Sequence, residues 1–343
     1  MAYTTIKKPS EHFETKIWTG NGSSQNITGL NFKPDFVWIK DRDDTSSHAI
    51  TDAVRGNTKY LMSNDSYQEE TITDRVTSFN SDGYSLGSSA GVNQNGAGNV
   101  GWNWKANGTG SANTDGTINS TVSADTTSGF SIVSFTGNGS AATVGHGLNS
   151  APEIIITKNR IDAVAWQVGS DYLTSWSYYV RLNTTDAQSS TGGGQVYGTA
   201  PTSTVFTVGN DNAVNGSSDG IISYCFHSVK GYSKFGSYTG NGNADGTFVY
   251  TGFKPSFVMS KRTDSAGNSW RMFDNKREGY NGSMGIIHAN LSDAESIAST
   301  IDFLSNGFKI RATTTDQNAS GATYIYMAFA EEPLVGDNPA TAR

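Results

Sequence analysis

Chemistry needs side chains that can hold a metal, move a proton or attack a carbonyl, so His, Cys and the carboxylates come first. The five histidines are His12, His48, His146, His227 and His288, and no two stand at a metal-ligand spacing such as His-x-x-x-His. The one cysteine, Cys225, sits in the apolar run Ile221, Ile222, Tyr224, Phe226, where a thiol packs as a small hydrophobe. Two acidic clusters could hold Ca²⁺. Asp41, Asp43 and Asp44 follow a dense apolar run, and Asn241-x-Asn243-x-Asp245-Gly246 follows the first half of an EF-hand loop, but Gly252 stands where the bidentate Glu belongs. Both read more simply as solvated turns. Glycoside hydrolysis needs two opposed carboxylates. Asp35 and Glu153 each follow a proline at corresponding places, and Ser256 fills the third such place, so the position is expected to be exposed decoration. No Gly-x-Ser-x-Gly elbow and no phosphate-binding loop is present. No catalytic, cofactor-binding or metal-binding residue is assigned, and the chain is expected not to be an enzyme.

The elements that would position such residues are organised by a repeat. Thr-Gly-Asn-Gly starts at Thr19, Thr136 and Thr239, so its core is Gly20, Asn21, Gly22, then Gly137, Asn138, Gly139, then Gly240, Asn241, Gly242. A proline follows at Pro34, Pro152 and Pro255, a lysine at Lys40, Lys158 and Lys261, and an arginine just after at Arg42, Arg160 and Arg262. Copies about a hundred residues apart are too long for solenoid units of roughly 20–50 residues and long enough for domains. The recurring lysine and arginine are expected to serve the fold by bonding loop carbonyls. The Gly-Asn-Gly strings suit tight hairpin turns better than phosphate binding.

Each copy reads as β throughout. Alternating large residues lead into each Thr-Gly-Asn-Gly, and dense runs follow each proline: Phe36 to Ile39, Ile154 to Ile156, Phe257 to Met259. The proline belongs at the strand start because it cannot donate a ladder hydrogen bond. Asp82-Gly83 and Asn306-Gly307 mark later hairpins, with Val205 to Val208 the nearest equivalent in the second copy. Aromatic strands close the copies around Trp102, Tyr224 and Tyr326. Short helical turns are allowed only at Val54 to Tyr60 and Asp293 to Ser299. The fold expected is all-β, with three tandem β-sandwich domains of jelly-roll or lectin-like type. The boundaries are an arm 1–11, repeats at 12–106, 129–231 and 232–332, a Gly/Ser/Thr/Asn-rich linker 107–128, and a tail 333–343. The first repeat is expected to hinge and the third to dock on the second.

Composition narrows the function classes. Only 16% of the 343 residues are charged and 11% are aromatic, with a net charge of −7. Without clustered Lys and Arg, broad nucleic-acid binding is not expected. No apolar stretch is long enough for a signal peptide or a membrane span, so the chain is expected to be made in a cytoplasm without membrane insertion. Exposed aromatics among Asn, Ser and Gly could stack on sugars. Tyr172, Trp176, Tyr178, Tyr179 and Tyr280 lie where the copies differ most and are the candidate binding surface.

Several strings resemble virion proteins of marine bacteriophages, including cyanophages. They are the opening from Met1 to Ile6, the run from Asp52 to Leu61, Trp102 to Ala106, the junction from Gly231 to Gly242, and the end from Tyr324 to Pro333. The resemblance spans nearly the whole chain and is weakest in the second copy. It implies a structural, tail-associated virion protein of fibre or adaptor type, acting in host attachment and located in the virion. The implied partners are other virion proteins of tail or capsid, a host-surface glycan or protein, and further copies in a homo-oligomer. A capsid decoration protein is the alternative, and a polysaccharide depolymerase a more distant one. No cofactor is implied.

Overall fold

The computed structural model describes residues 4–190, 194–277 and 281–333. It is all-β, 44% strand and 5% helix, in several antiparallel sheets. Each repeat contributes one large and one small sheet. In the first, the large sheet runs Phe13–Thr19, Gly98–Trp104, Phe36–Asp41, Ala49–Asp52, Gly56–Leu61, Glu70–Thr71. The third repeats the order with Ser233–Thr239, Thr323–Pro333, Phe253–Arg262, Arg271–Asp274, Met284–His288, Ser296–Ala298. In each the aromatic closing strand lies between the strand before Thr-Gly-Asn-Gly and the strand after the proline. The second repeat keeps that centre, as Phe130–Thr136, Gly220–Phe226, Ile154–Asn159.

Register gives the equivalences used below. Phe36 faces Trp104, Ile154 faces Phe226 and Phe257 faces Phe329, so Trp102, Tyr224 and Met327 occupy one position in the three copies. On one face of each large sheet lies its own small sheet, with an apolar cluster between. Ile27, Val37, Tyr84 and Leu86 are in the first cluster, Val144, Ile155 and Phe206 in the second, Val249, Val258 and Phe308 in the third. The other faces of all three large sheets meet in a single cluster that includes Trp38, Trp102, Trp104, Ile156, Trp166, Tyr224, Met259, Trp270 and Phe329. Ile6 of the N-terminal arm is buried in the same cluster.

Several expectations change here. The segment 107–128 does not simply link two repeats: Ser111–Asn113 and Ser120–Asp125 extend the second large sheet beside Phe130–Thr136. Gly-Asn-Gly is not a hairpin turn. It carries the chain from the large sheet to the small one, since Phe13–Thr19 pairs with Gly98–Trp104 while Gln25–Ile27 pairs with Gly83–Leu86. The second copy's small sheet has two strands, Ala142–Gly145 and Val205–Val208. Asp-Gly and Asn-Gly do turn hairpins, pairing Asn80 with Gly83 and Leu304 with Gly307. Pro34 and Pro152 precede their strands, but Pro255 lies inside Phe253–Arg262 at a pair of register shifts, where a missing N–H is tolerated. Residues 54–60 and 293–299 hold no helix. Among the described residues the α-helices are Ala90–Asn93, Asn212–Asn215 and Thr315–Asn318, at the same place in each copy, and Pro9–Glu11 forms a 3-10 turn in the arm.

Candidate functional site

The repeat motif is explained by a buried asparagine at the end of each short helix. Asn93, Asn215 and Asn318 have no exposed surface. Their Oδ1 atoms accept from the backbone N–H of Asn21, Asn138 and Asn241, each at 2.9 Å. Their Nδ2 atoms donate to Gly87, Gly209 and Ala312 carbonyls, each at 2.8 Å, and to the side chains of the motif asparagines. A Cβ on Gly20, Gly137 or Gly240 would fall 2.2, 2.2 and 2.3 Å from a backbone oxygen after that helix, and Gly22, Gly139 and Gly242 sit at φ of 67°, 69° and 69°. Only glycine suits both places. These asparagines stand 72, 77 and 77 residues from the motif asparagines they hold, too far apart for local spacing to reveal the pairing.

The repeat lysines are fully buried. Lys158 Nζ donates to Asn159 O at 2.7 Å and Asp162 O at 3.1 Å, Lys261 Nζ to Arg262 O at 2.7 Å, and Lys40 Nζ to the carbonyls of Asp41 and Asp44. Burial pushes all three ammonium groups down to about 8, against nearby carboxylates that pull the other way. The arginines divide differently. Arg42 and Arg160 share one register position, because their N–H groups bond Gly98 O and Gly220 O; the third equivalent is Thr263, bonded to Thr323 O, and Arg262 is one place short.

Chemistry-bearing residues gather at the seams between copies. Between copies one and two, Asp52 and Arg55 form a buried ion pair, Tyr224 donates to Asp52 at 2.8 Å, and Glu69 bridges Arg55 and Arg160 at 3.1 and 2.8 Å. Between copies three and one the same parts recur. Asp274 pairs with Arg277, Trp102 donates to Asp274 at 2.9 Å, and Glu295 lies 2.6 Å from Arg42 and 3.5 Å from Arg277. Between copies two and three every member is replaced: Ser170, Leu173 and Gln188 stand for the Asp, Arg and Glu, and Met327 and Thr263 for the aromatic donor and the arginine. The backbone link survives in all three, as Glu69 N to Arg160 O, Gln188 N to Thr263 O and Glu295 N to Arg42 O. A lone member of such a set would leave a buried charge unpaired, so the set changes together.

A second ring of links joins the copies. Trp166 Nε1 donates to Met62 O at 2.8 Å and Trp270 Nε1 to Arg181 O at 2.9 Å. His48 fills the corresponding place in copy one, with Nε2 3.0 Å from His288 O and Nδ1 accepting from Trp38 Nε1 at 2.8 Å. Burial holds the imidazole neutral, with its pKa lowered to about 3. His48 is thus part of the seam packing.

The other candidates separate. Asp35 and Ser256 are buried rather than exposed decoration, because each bonds the end of its closing strand: Asp35 accepts from Ala106 N at 2.8 Å and Ser256 donates to Phe329 O. Glu153 accepts from Ser228 N at 2.8 Å in the same way. Trp176 and Tyr179 are core side chains of the second copy, and Tyr172 and Tyr178 pack half-buried against the shared core. Tyr280 lies outside the described residues. Asn241 and Asn243 close successive turns by accepting N–H groups two residues on, and Asp245 pairs with Lys309 and Arg311. Among the described residues no group of three or more His, Cys, Asp or Glu is placed to hold a metal ion, and no helix is long and apolar enough to cross a membrane. Burial pushes the Cys225 thiol up, away from the reactive thiolate.

These features define an all-β protein of three internal copies joined through one aromatic core, with buried Asn and Lys side chains inside each copy and buried ion pairs in two of the seams. The chain belongs to the family described as domain of unknown function DUF7483, which matches residues 8–333. Neither the curated proteins nor the solved structures yield a match.

Proposed function

We propose that the chain is a structural protein of a bacteriophage particle, tail-associated and engaged in host attachment, with each copy a β-sandwich of one large and one small sheet. The observation that carries this reading is where the recurring polar residues go. Lys40, Lys158 and Lys261 bond their own loops, Asn93, Asn215 and Asn318 hold the Gly-Asn-Gly turns, and the Asp-Arg-Glu sets join neighbouring copies. Residue types that could do acid–base chemistry are engaged in holding a rigid body together, which suits a scaffold that presents surfaces. Its partners are other virion proteins and further copies of itself, and its place is the virion.

Cryo-electron microscopy of the intact particle tests this. Density at the tail, with one end of the three-copy body pointing outward, is the expected result. Density over the head lattice would make it a decoration protein, and absence from purified particles would overturn the virion reading.

A further inference from the structure

The small sheet of the third copy carries a feature that the other two lack. Phe248–Tyr250 is an edge strand with Val249 buried beneath and Phe248 and Tyr250 on the outer face, 43% and 56% exposed. Two residues along a strand place the rings side by side, about 6.8 Å apart at their Cα atoms. Tyr250 faces Gly307 and Phe248 faces Lys309 across the ladder. Gly307 is set by the close approach of the strands, since a Cβ there would lie 2.1 Å from Val249 O, and the Phe248 ring lies over it at 3.1 Å from that position.

The first copy shows that this pair is not needed for the fold. A Cβ on Gly307 would strike Val249 O, and one on Gly83 would strike Ile27 O, so Val249 and Ile27 are equivalent. Asn26 and Thr28 therefore stand in the first copy where Phe248 and Tyr250 stand in the third. Large exposed aromatics on a solvent face, in one copy of three, point to recognition rather than packing.

The surroundings select the ligand. Lys309 and Arg311 pair with Asp245, and Arg311 also pairs with Asp302 at 2.7 Å. Two cations and two carboxylates give a rim with no net charge and many fixed hydrogen-bonding groups. The flat C–H face of a pyranose carries partial positive charge and complements the negative face of an aromatic ring, while its hydroxyls need donors and acceptors at the edge. A polyanion would find no net positive charge there, because Asp245 and Asp302 already engage Lys309 and Arg311. We propose that the outer face of the third small sheet, centred on Phe248 and Tyr250, binds a neutral oligosaccharide. The inference rests on the attachment reading above and gives it a ligand class.

The test uses the full purified chain on an array of neutral oligosaccharides of hexoses and N-acetylhexosamines, with sulfated and sialylated ones alongside. The variant Phe248→Asn with Tyr250→Thr carries the first copy's residues at the same register, and Tyr67→Ser removes an exposed aromatic elsewhere. Native chain and Tyr67→Ser should retain a neutral oligosaccharide, and the double variant should bind it about tenfold more weakly or worse, with an unchanged unfolding midpoint. Failure of every neutral sugar to bind, a preference for the anionic ones, or equal retention by all three proteins would overturn the proposal. So would a dimer in sedimentation that the double variant abolishes, which would assign the face to a second copy. A chain that sits in the tail and binds no neutral sugar sinks this inference alone; one that binds sugar and is missing from particles sinks the virion reading alone.

Discussion

Trp38 and His48 should behave as one unit, because they replace a differently built pair in the other copies. The first copy has Trp38 donating to His48; register gives Ile156 with Trp166 in the second and Met259 with Trp270 in the third. Each copy therefore has one large ring across these two places plus a smaller partner, and one ring N–H on the neighbouring carbonyl. His48→Trp alone crowds a full core, costing about 1–3 kcal/mol, and leaves the Trp38 N–H without its acceptor, costing about 1–3 kcal/mol more. Trp38→Ile alone opens a cavity, costing about 2–4 kcal/mol, and strands His48 Nδ1. The double variant recreates the second copy's pair, removing both orphaned groups and filling the cavity with the new indole. Its cost should fall below the sum of the singles by at least about 2 kcal/mol. Guanidinium unfolding at constant m-value reads this directly. Additivity within about 0.5 kcal/mol would refute the claim that the copies share one packing plan with interchangeable solutions.

The same histidine sets an acid-side slope. Its folded pKa, about 3, lies below the unfolded value of about 6.5, so its stabilisation is present above pH 6.5 and is lost as pH falls toward 3, at up to about 1.4 kcal/mol per pH unit; His48→Trp should remove that share from an acid titration of stability. The three buried lysines act at the other end. With folded pKa values about 8 against about 10.5 unfolded, stability should rise between pH 8 and 10, and Lys158→Met should remove about a third of that rise in urea titrations. Gly137→Ala should cost at least about 1–3 kcal/mol by thermal unfolding, since its methyl would meet Gly216 O. Asn215→Asp keeps the acceptor for Asn138 N–H but loses the donors to Gly209 and Ser140 carbonyls, and should lower stability by at least about 2 kcal/mol in chemical unfolding.

Much of the strand content was legible because it is local. Phe36 to Ile39 and the aromatic strands around Trp102, Tyr224 and Tyr326 read as core strands and are core strands. Asn306-Gly307 turned a hairpin because the residues that tolerate the turn are adjacent in sequence. What was hidden is set by distance. Gly-Asn-Gly has hairpin composition, yet Asn93, Asn215 and Asn318 pull it into a crossover. Trp176 and Tyr179 look like surface aromatics among Ser and Thr, but a second-copy loop folds over them. Arg262 followed its lysine closely enough to pass for a repeat member, and only the ladder register shows Thr263 in that role. The exposure of Phe248 and Tyr250 is not legible in sequence, because on an edge strand it depends on which face Val249 buries.

Differential scanning calorimetry of the full chain tests the central claim most directly, that three copies share one core. One transition is predicted, with van't Hoff and calorimetric enthalpies equal, because Trp102, Tyr224, Phe257 and Phe329 lie in a single cluster that no copy can bury alone. Two or three separable transitions, with the first copy melting by itself, would contradict it.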